Sequence, residues 1–138
     1  MINIDELNAY LAKISLSYKF ISMDTSETIK ESDLRGNKSY KSSIGSLIVN
    51  EKELSFISNS KDAGLLLVIA VIVDMSTGFN QTERNDALKG LGMYDGSFIK
   101  SKKLEFMNYE FRIHYSKRYG LMFQIFNESL IAKQKVGE

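Results

Sequence analysis

The 138-residue chain contains no cysteine and no proline, and it has a single histidine. The lack of cysteine excludes disulfides, thiolate zinc sites and cysteine nucleophiles. The lack of proline removes the proline-rich class of linkers and ligands. With one histidine and no cysteine, a catalytic zinc site would need mostly carboxylate ligands, which is atypical. We therefore expect no metal site.

Composition and charge are those of an ordinary globular protein. Apolar residues make up 43% of the chain and charged residues 25%, and the length fits one domain over residues 1–138. The net charge of +1 is far from the basic balance of a dedicated nucleic-acid binder. The opening MINIDELNAY is acidic and no apolar run follows it, unlike a secretory signal, so we expect a cytoplasmic location.

Long hydrophobic runs are also scarce. The longest covers the 11 residues from Ala63 to Val73, whereas a membrane helix needs about 20, so we expect no membrane anchor. Five of the 11 are Val or Ile, which favour strand. A run without polar alternation is typical of a strand buried on both faces. We therefore predict a central strand here.

Several local patterns predict the remaining elements. An apolar stripe predicts an N-terminal helix, with Asn3 as its cap and Glu6 completing a capping box. The stripe consists of Ile4, Leu7, Leu11 and Ile14. A second helix is expected over Glu83–Gly90, capped by Asn80 or Thr82. Other predicted elements are a strand over Leu16–Ile21, a hairpin turning at Asn50–Lys52, one or two strands in SFIKSKKLEFM, a hairpin formed by YEFRIHYS and LMFQIF, and a short C-terminal helix over Asn127–Lys135.

These elements indicate an α+β domain with a single, mostly antiparallel sheet of about five to six strands, an N-terminal helix, a mid-chain helix and a short C-terminal helix. Their order resembles that of the type III secretion chaperone fold, a likeness that no motif residues carry. Residues Asp24–Ser43 leave three alternatives open: a long loop, a short helix over Glu27–Leu34, or a hairpin turning at Gly36–Asn37.

No motif for enzymatic chemistry stands out. Gly90, Gly92 and Gly96 follow a predicted helix, whereas phosphate-binding glycines lie between a strand and a helix, so we expect no cofactor. His114 lies on the polar face of its predicted strand, beside Arg112, with no nucleophile motif nearby. We expect a protein that is not an enzyme, and general-base catalysis by His114 stays as the less favoured alternative.

The stretch from Lys100 to Arg118 is the most suggestive of binding. It contains six basic residues, one histidine and two acidic residues, interleaved with aromatic residues. This composition would suit single-stranded nucleic acid, but strand alternation turns Tyr109, Phe111 and Tyr115 towards the core. Tyrosine and arginine also anchor protein interfaces. The candidate partner-binding residues are Arg112, His114, Lys117, Arg118 and Tyr119, together with an acidic edge formed by Asp24, Glu27 and Glu31.

The sequence therefore favours a small soluble interaction protein of bacterial type. Its most concrete form is an immunity or inhibitor protein, monomeric or homodimeric, that binds and blocks a partner protein such as a toxin or a secreted effector. The alternatives are a secretion-chaperone-like carrier, which would bind an extended segment, and a weak single-stranded nucleic-acid-binding module using the Lys100–Arg118 strip.

Overall fold

A computed structural model describes residues 2–23, 37–60, 62, 64–95, 101–118 and 120–128. These ranges contain three α-helices, a 3-10 turn at Met93–Asp95 and seven strands. The helices are α1 (Ile4–Lys13), α2 (Leu65–Thr77) and α3 (Gln81–Gly90). The strands are β1 (Ile21–Ser22), β2 (Lys38–Lys41), β3 (Ser46–Val49), β4 (Glu53–Ser58), β5 (Lys102–Phe106), β6 (Tyr109–Ser116) and β7 (Gly120–Asn127).

The strands form one antiparallel sheet in the order β1-β2-β3-β4-β7-β6-β5. The predicted α+β class with a single antiparallel sheet is confirmed, with seven strands instead of five to six. The chain leaves the sheet after β4, builds α2 and α3, and returns at the far edge as β5. β7 then pairs with both β4 and β6, so the last strand in the chain is an interior strand of the sheet.

Polar side chains fix the turn and the helix starts that the sequence predicts. The Asn50 carboxamide oxygen accepts hydrogen bonds from the Lys52 and Glu53 amides, at 2.8 and 2.9 Å, which turns β3 into β4. The Asn3 side chain accepts from the Glu6 amide at 3.0 Å and caps α1. α3 begins at Gln81, two residues earlier than predicted, because Asn80 and Glu83 form a reciprocal capping box.

The prediction of a central strand over Ala63–Val73 is wrong, because Leu65–Val73 of this run lie in helix α2. Asp62 accepts hydrogen bonds from the Gly64 amide through its side chain and from the Leu65 amide through its carbonyl, which starts the helix. Gly78 ends it in a left-handed conformation with φ of 76°. α2 packs against the sheet, α1 and α3, so an almost uniformly apolar sequence is satisfied as a helix.

Of the predicted strand over Leu16–Ile21, only Ile21 lies in a strand, the two-residue β1. The Asn8 side chain donates to the Phe20 carbonyl and accepts from the Phe20 amide, at 2.9 and 2.8 Å. Both backbone groups of Phe20 therefore bond to α1 instead of a neighbouring strand, while the Phe20 ring is buried in the core.

Two further predictions lie partly or wholly outside the described residues. Of the open segment 24–43, residues 24–36 are not described, and Lys38–Lys41 form β2. Asn127, predicted to cap a C-terminal helix, is the last residue of β7, and Glu128 directly after it is helical, while residues 129–135 of the predicted helix are not described.

The core lies between one face of the sheet and the three helices. It is a single cluster in which the buried side chains of α1, α2 and α3 meet inward-facing residues of β3, β4, β6 and β7. Phe79, between α2 and α3, packs its ring against Phe106, Tyr109 and Phe111, with centroid distances of 5.6–6.0 Å. Among the described residues no single helix is long and apolar enough to cross a membrane, and α2 and α3 reach that length and composition only as a pair bent by 119°.

Candidate functional site

The strand register divides the sheet into a core face and an outer face, which we define as the side opposite the three helices. Directly paired residues share a face, so the outer face consists of cross-strand rows. The carboxylate row contains Glu105, Glu110, Phe126 and Glu53; the arginine row contains Lys103, Arg112, Gln124, Ser55, Ile48 and Ser39; the histidine row contains His114, Met122, Ile57, Ser46, Lys41 and Ile21.

Glu110 is the centre of a charge network on the outer face. Its two carboxylate oxygens meet Lys103 Nζ at 3.0 Å and Arg112 Nε at 2.5 Å, and only 11% of its side chain is exposed. Burial opposes ionisation of Glu110, but the hydrogen bonds and charges of Lys103 and Arg112 outweigh it and hold its pKa below the ordinary value. Glu110 is therefore a fixed carboxylate that orients two cations.

Arg112 also contacts an aromatic ring on the neighbouring strand β7. Its guanidinium lies over the Phe126 ring, 4.7 Å from the ring centroid, while 49% of its side chain stays exposed. The contact combines cation–π attraction with shielding of the ring from water. Arg112 is thus positioned by Glu110 on one side and Phe126 on another.

His114 lies one row further along the same strand. Its Nδ1 is 2.6 Å from the hydroxyl of Ser101, and both residues are exposed. Within the described ranges, no acidic side chain contacts the ring to orient it as in a Ser-His-Asp triad. Serine and histidine are the residue types of a nucleophile–base pair. Among the described residues, however, no third group orients the His114 ring, and the pair is not shielded from water as base catalysis requires.

The carboxylates of Glu105, Glu110 and Glu128 are the one described cluster with the ligand spacing of a cation site, with oxygens within 4.8 Å of one another. Both oxygens of Glu110 are already engaged by Lys103 and Arg112. Lys103 also lies 3.9 Å from Glu105, so two of the three carboxylates already have a cationic partner.

The structure places the predicted site residues in two groups. Arg112 and His114 lie together on the outer face, and Lys117 and Arg118 lie in the β6–β7 turn, where the Arg118 amide donates to Ser116 Oγ at 3.1 Å. The other four predicted residues, Tyr119, Asp24, Glu27 and Glu31, lie outside the described residues.

The aromatic residues of β6 follow the predicted alternation with one exception. Phe111 is fully buried and Tyr109 packs against the core cluster, as expected for inward-facing residues. Tyr115 is on the same face but is 37% exposed, because it lies near the end of the strand. Aromatic stacking of bases therefore draws no support from Tyr109 or Phe111.

Sequence reasoning missed the outer-face residues of β7 and β4. Met122, Gln124 and Phe126 alternate with the buried Leu121, Phe123 and Ile125, so a period of two in LMFQIF was the available signal. Ile57 and Ile48 extend this half-exposed apolar surface across β4 and β3. We found no matching family model for this chain, and no significantly similar curated protein or solved structure.

Proposed function

We propose that this chain is a non-enzymatic binding protein that engages a partner protein through the outer face of its sheet. The supporting observation is the arrangement of Arg112, which is pinned by Glu110 and Phe126 beside half-exposed apolar side chains. Interfaces concentrate binding energy in such arginine and aromatic anchors, surrounded by apolar and polar contacts that exclude water. In its specific form the proposal is an immunity or inhibitor protein that covers the active surface of a toxin or secreted effector.

A protein partner is favoured over nucleic acid because the basic strip is divided between the two faces of the sheet and is neutralised in part. Lys103 and Arg112 share Glu110, and Glu105 lies 3.9 Å from Lys103. Lys102 pairs with Ile113 and therefore belongs to the opposite side of the sheet. Nucleic-acid binding depends on a continuous surface of cations that replace counterions along the phosphates, and neighbouring glutamates oppose it.

The carrier alternative draws less support from the sheet edge. Strand addition needs an accessible edge, and β5 is the edge strand beside the charge network. Its Lys102, Lys103 and Glu105 side chains are exposed. Charged residues on an edge strand discourage pairing with another chain, so we place the partner on the face of the sheet.

The test compares an outer-face variant with a matched variant on the helical side, using affinity capture from a lysate of the source organism. The outer-face variant carries Ile48→Lys and Met122→Lys, and the control carries Tyr10→Lys and Leu67→Lys, at two residues that are each 44% exposed on α1 and α2. We expect one stoichiometric protein to be retained at high salt by the wild type and the control and lost from the outer-face variant. Retention by the outer-face variant, or capture of nucleic acid alone at low salt, would contradict the proposal.

If the inhibitor form is right, the captured protein has an activity that the chain blocks. Adding the wild-type chain to the purified partner should abolish that activity at equimolar ratio, whereas the outer-face variant should leave it intact. A partner that is bound through the outer face but stays fully active would limit the proposal to a binding protein.

A further inference from the structure

Arg112 presents an unused half of its guanidinium to solvent. Nε donates a hydrogen bond to Glu110, and the guanidinium carbon lies 4.7 Å from the centroid of the Phe126 ring. Among the described residues, none forms a hydrogen bond or an ion pair with its two terminal nitrogens. An arginine with free terminal nitrogens offers parallel N–H donors that match the two oxygens of a carboxylate. Because Glu110 and Phe126 already restrict the side chain, little conformational entropy remains to be lost on binding.

The surroundings of this fork favour a carboxylate over a phosphate. Lys103 lies opposite Arg112 on β5, and Gln124 lies opposite it on β7. The adjacent carboxylate row holds three glutamates, Glu105, Glu110 and Glu53. Carboxylate oxygens of Glu105 and Glu110 lie within 4.8 Å of an oxygen of Glu128. A doubly charged phosphate would be repelled by these groups more strongly than a single carboxylate. In the histidine row, on the other side of Arg112, Met122 and Ile57 form an apolar surface on which the partner residue next to the carboxylate can pack.

We infer that Arg112 is the anchor for the side-chain carboxylate of an aspartate or glutamate on the partner, flanked there by an apolar residue that packs on Met122 and Ile57. This inference rests on the proposed function and specifies the chemistry of the partner segment. It assigns Glu110 and Phe126 as positioning residues and Arg112 as the contacting residue. Lys117, in the β6–β7 turn, is outside this contact.

The test titrates the full chain, labelled with ¹⁵N, with the blocked peptide acetyl-Ser-Leu-Glu-Val-Ser-amide and with its Gln counterpart. The chain has four arginines, so the Nε–Hε signals identify which arginine responds. We expect the glutamate peptide to shift the Arg112 signal and the Gln124 side-chain amide, with the Gln peptide weaker by about tenfold, as for loss of a charge-assisted pair. We also expect Arg112→Gln and Arg112→Lys to weaken binding about tenfold, the latter because lysine lacks the fork.

Lys89→Gln is the matched control, because it removes one exposed positive charge from α3, on the helical side of the sheet, and should leave the peptide affinity within about twofold. The backbone amide spectrum of each variant reports whether the fold is kept. If the Arg112 variants unfold, the comparison of the two peptides on the wild-type chain still decides the question. Equal binding of the two peptides, shifts centred on the turn, or tighter binding of oligothymidylate at Arg112 would overturn the inference.

Failure of this inference is distinguishable from failure of the proposed function. A partner that is captured through Ile48 and Met122, with no glutamate-dependent response at Arg112, would overturn the arginine anchor alone. Loss of any outer-face dependence in the capture would overturn the proposed function. Concentration-dependent shifts of the same outer-face signals without peptide would identify a second copy of the chain as the occupant and overturn the assignment.

Discussion

The guanidinium carbon of Arg112 lies 4.7 Å from the ring centre of Phe126, although neither residue is the direct cross-strand partner of the other. Arg112 is paired with Gln124, and Phe126 is paired with Glu110, so the contact runs diagonally across β6 and β7. Diagonal neighbours are within reach of long and aromatic side chains. The diagonal lets one glutamate and one ring hold the same arginine.

The lowered pKa of Glu110 predicts a stability contribution that depends on pH. Because the folded pKa lies below the ordinary value of 4.5, this contribution is present above that value and is lost as pH falls through the folded pKa. Replacing Glu110 by Gln should cost about 1–2 kcal/mol of unfolding free energy at neutral pH and remove this part of the acid sensitivity. Urea unfolding over a series from about pH 3 to about pH 7 measures both effects.

Glu51→Gln is the control for that series, because Glu51 is an exposed glutamate in the β3–β4 turn. It removes the same charge without touching Lys103 or Arg112. The Glu110 interpretation would be wrong if the Glu110→Gln and wild-type proteins lost stability in parallel as the pH falls.

Gly120, at the start of β7, is a position where we expect substitution of glycine to destabilise the fold. Its φ is +83°, and an added Cβ would lie 2.4 Å from the Ser58 carbonyl oxygen on the neighbouring strand. Gly120→Ala therefore combines a left-handed conformation with a backbone clash and should cost about 2–5 kcal/mol. Gly78→Ala is the matched variant, since φ is +76° but nothing lies within 4 Å of the Cβ. It should cost only about 1–2 kcal/mol, and equal thermal destabilisation of the two variants would rule out the clash.

Asn80 and Thr82 are both plausible caps by sequence, and the structure assigns the cap to Asn80. Its side chain accepts from the Glu83 amide at 2.8 Å, and the Glu83 side chain accepts from the Asn80 amide at 3.0 Å. Asn80→Ala should lower the unfolding free energy by about 1 kcal/mol, whereas Thr82→Ala should change it by less than about 0.5 kcal/mol. Chemical denaturation distinguishes them, and a larger cost for Thr82→Ala would reverse the assignment.

The elements that the sequence predicts well are those fixed by neighbours in the chain. The Asn3 cap and the Asn50 turn involve partners two or three residues away. The alternation of β6 is visible because one face is buried and the other is polar. Short-range chemistry of this kind is readable without knowing the fold.

The outer-face network was harder to predict because it depends on a turn without a typical signature. The β5–β6 hairpin turns at Met107 and Asn108, whose φ values are 50° and 68°. Two-residue turns with positive φ favour Asn-Gly or Asp-Gly, and methionine gives no such indication. The pairing of Lys103 with Arg112 follows from this turn, so the network could not be predicted before the strand register was known.

The apolar run in α2 was misassigned because a run without polar residues shows neither the two-residue alternation of a strand nor the 3.6-residue period of an amphipathic helix. Length is the better criterion, since strands of 4–8 residues are usual and helices begin near 10–12. α2 spans 13 residues, from Leu65 to Thr77. Its many β-branched residues favoured strand, but a helix enclosed by the sheet and two other helices buries them equally well.

Alanine substitutions within this run test the helix directly. Ile72 is fully buried and Leu67 is 44% exposed, because they lie on different sides of α2. Ile72→Ala should therefore lower the unfolding free energy by about 2–5 kcal/mol, and Leu67→Ala by less than about 1 kcal/mol. A strand buried on both faces would enclose both side chains, so the two substitutions would cost similar amounts. Urea unfolding of the two variants, with far-ultraviolet circular dichroism to confirm that the native fold is retained, decides between these outcomes, and similar losses would restore the strand.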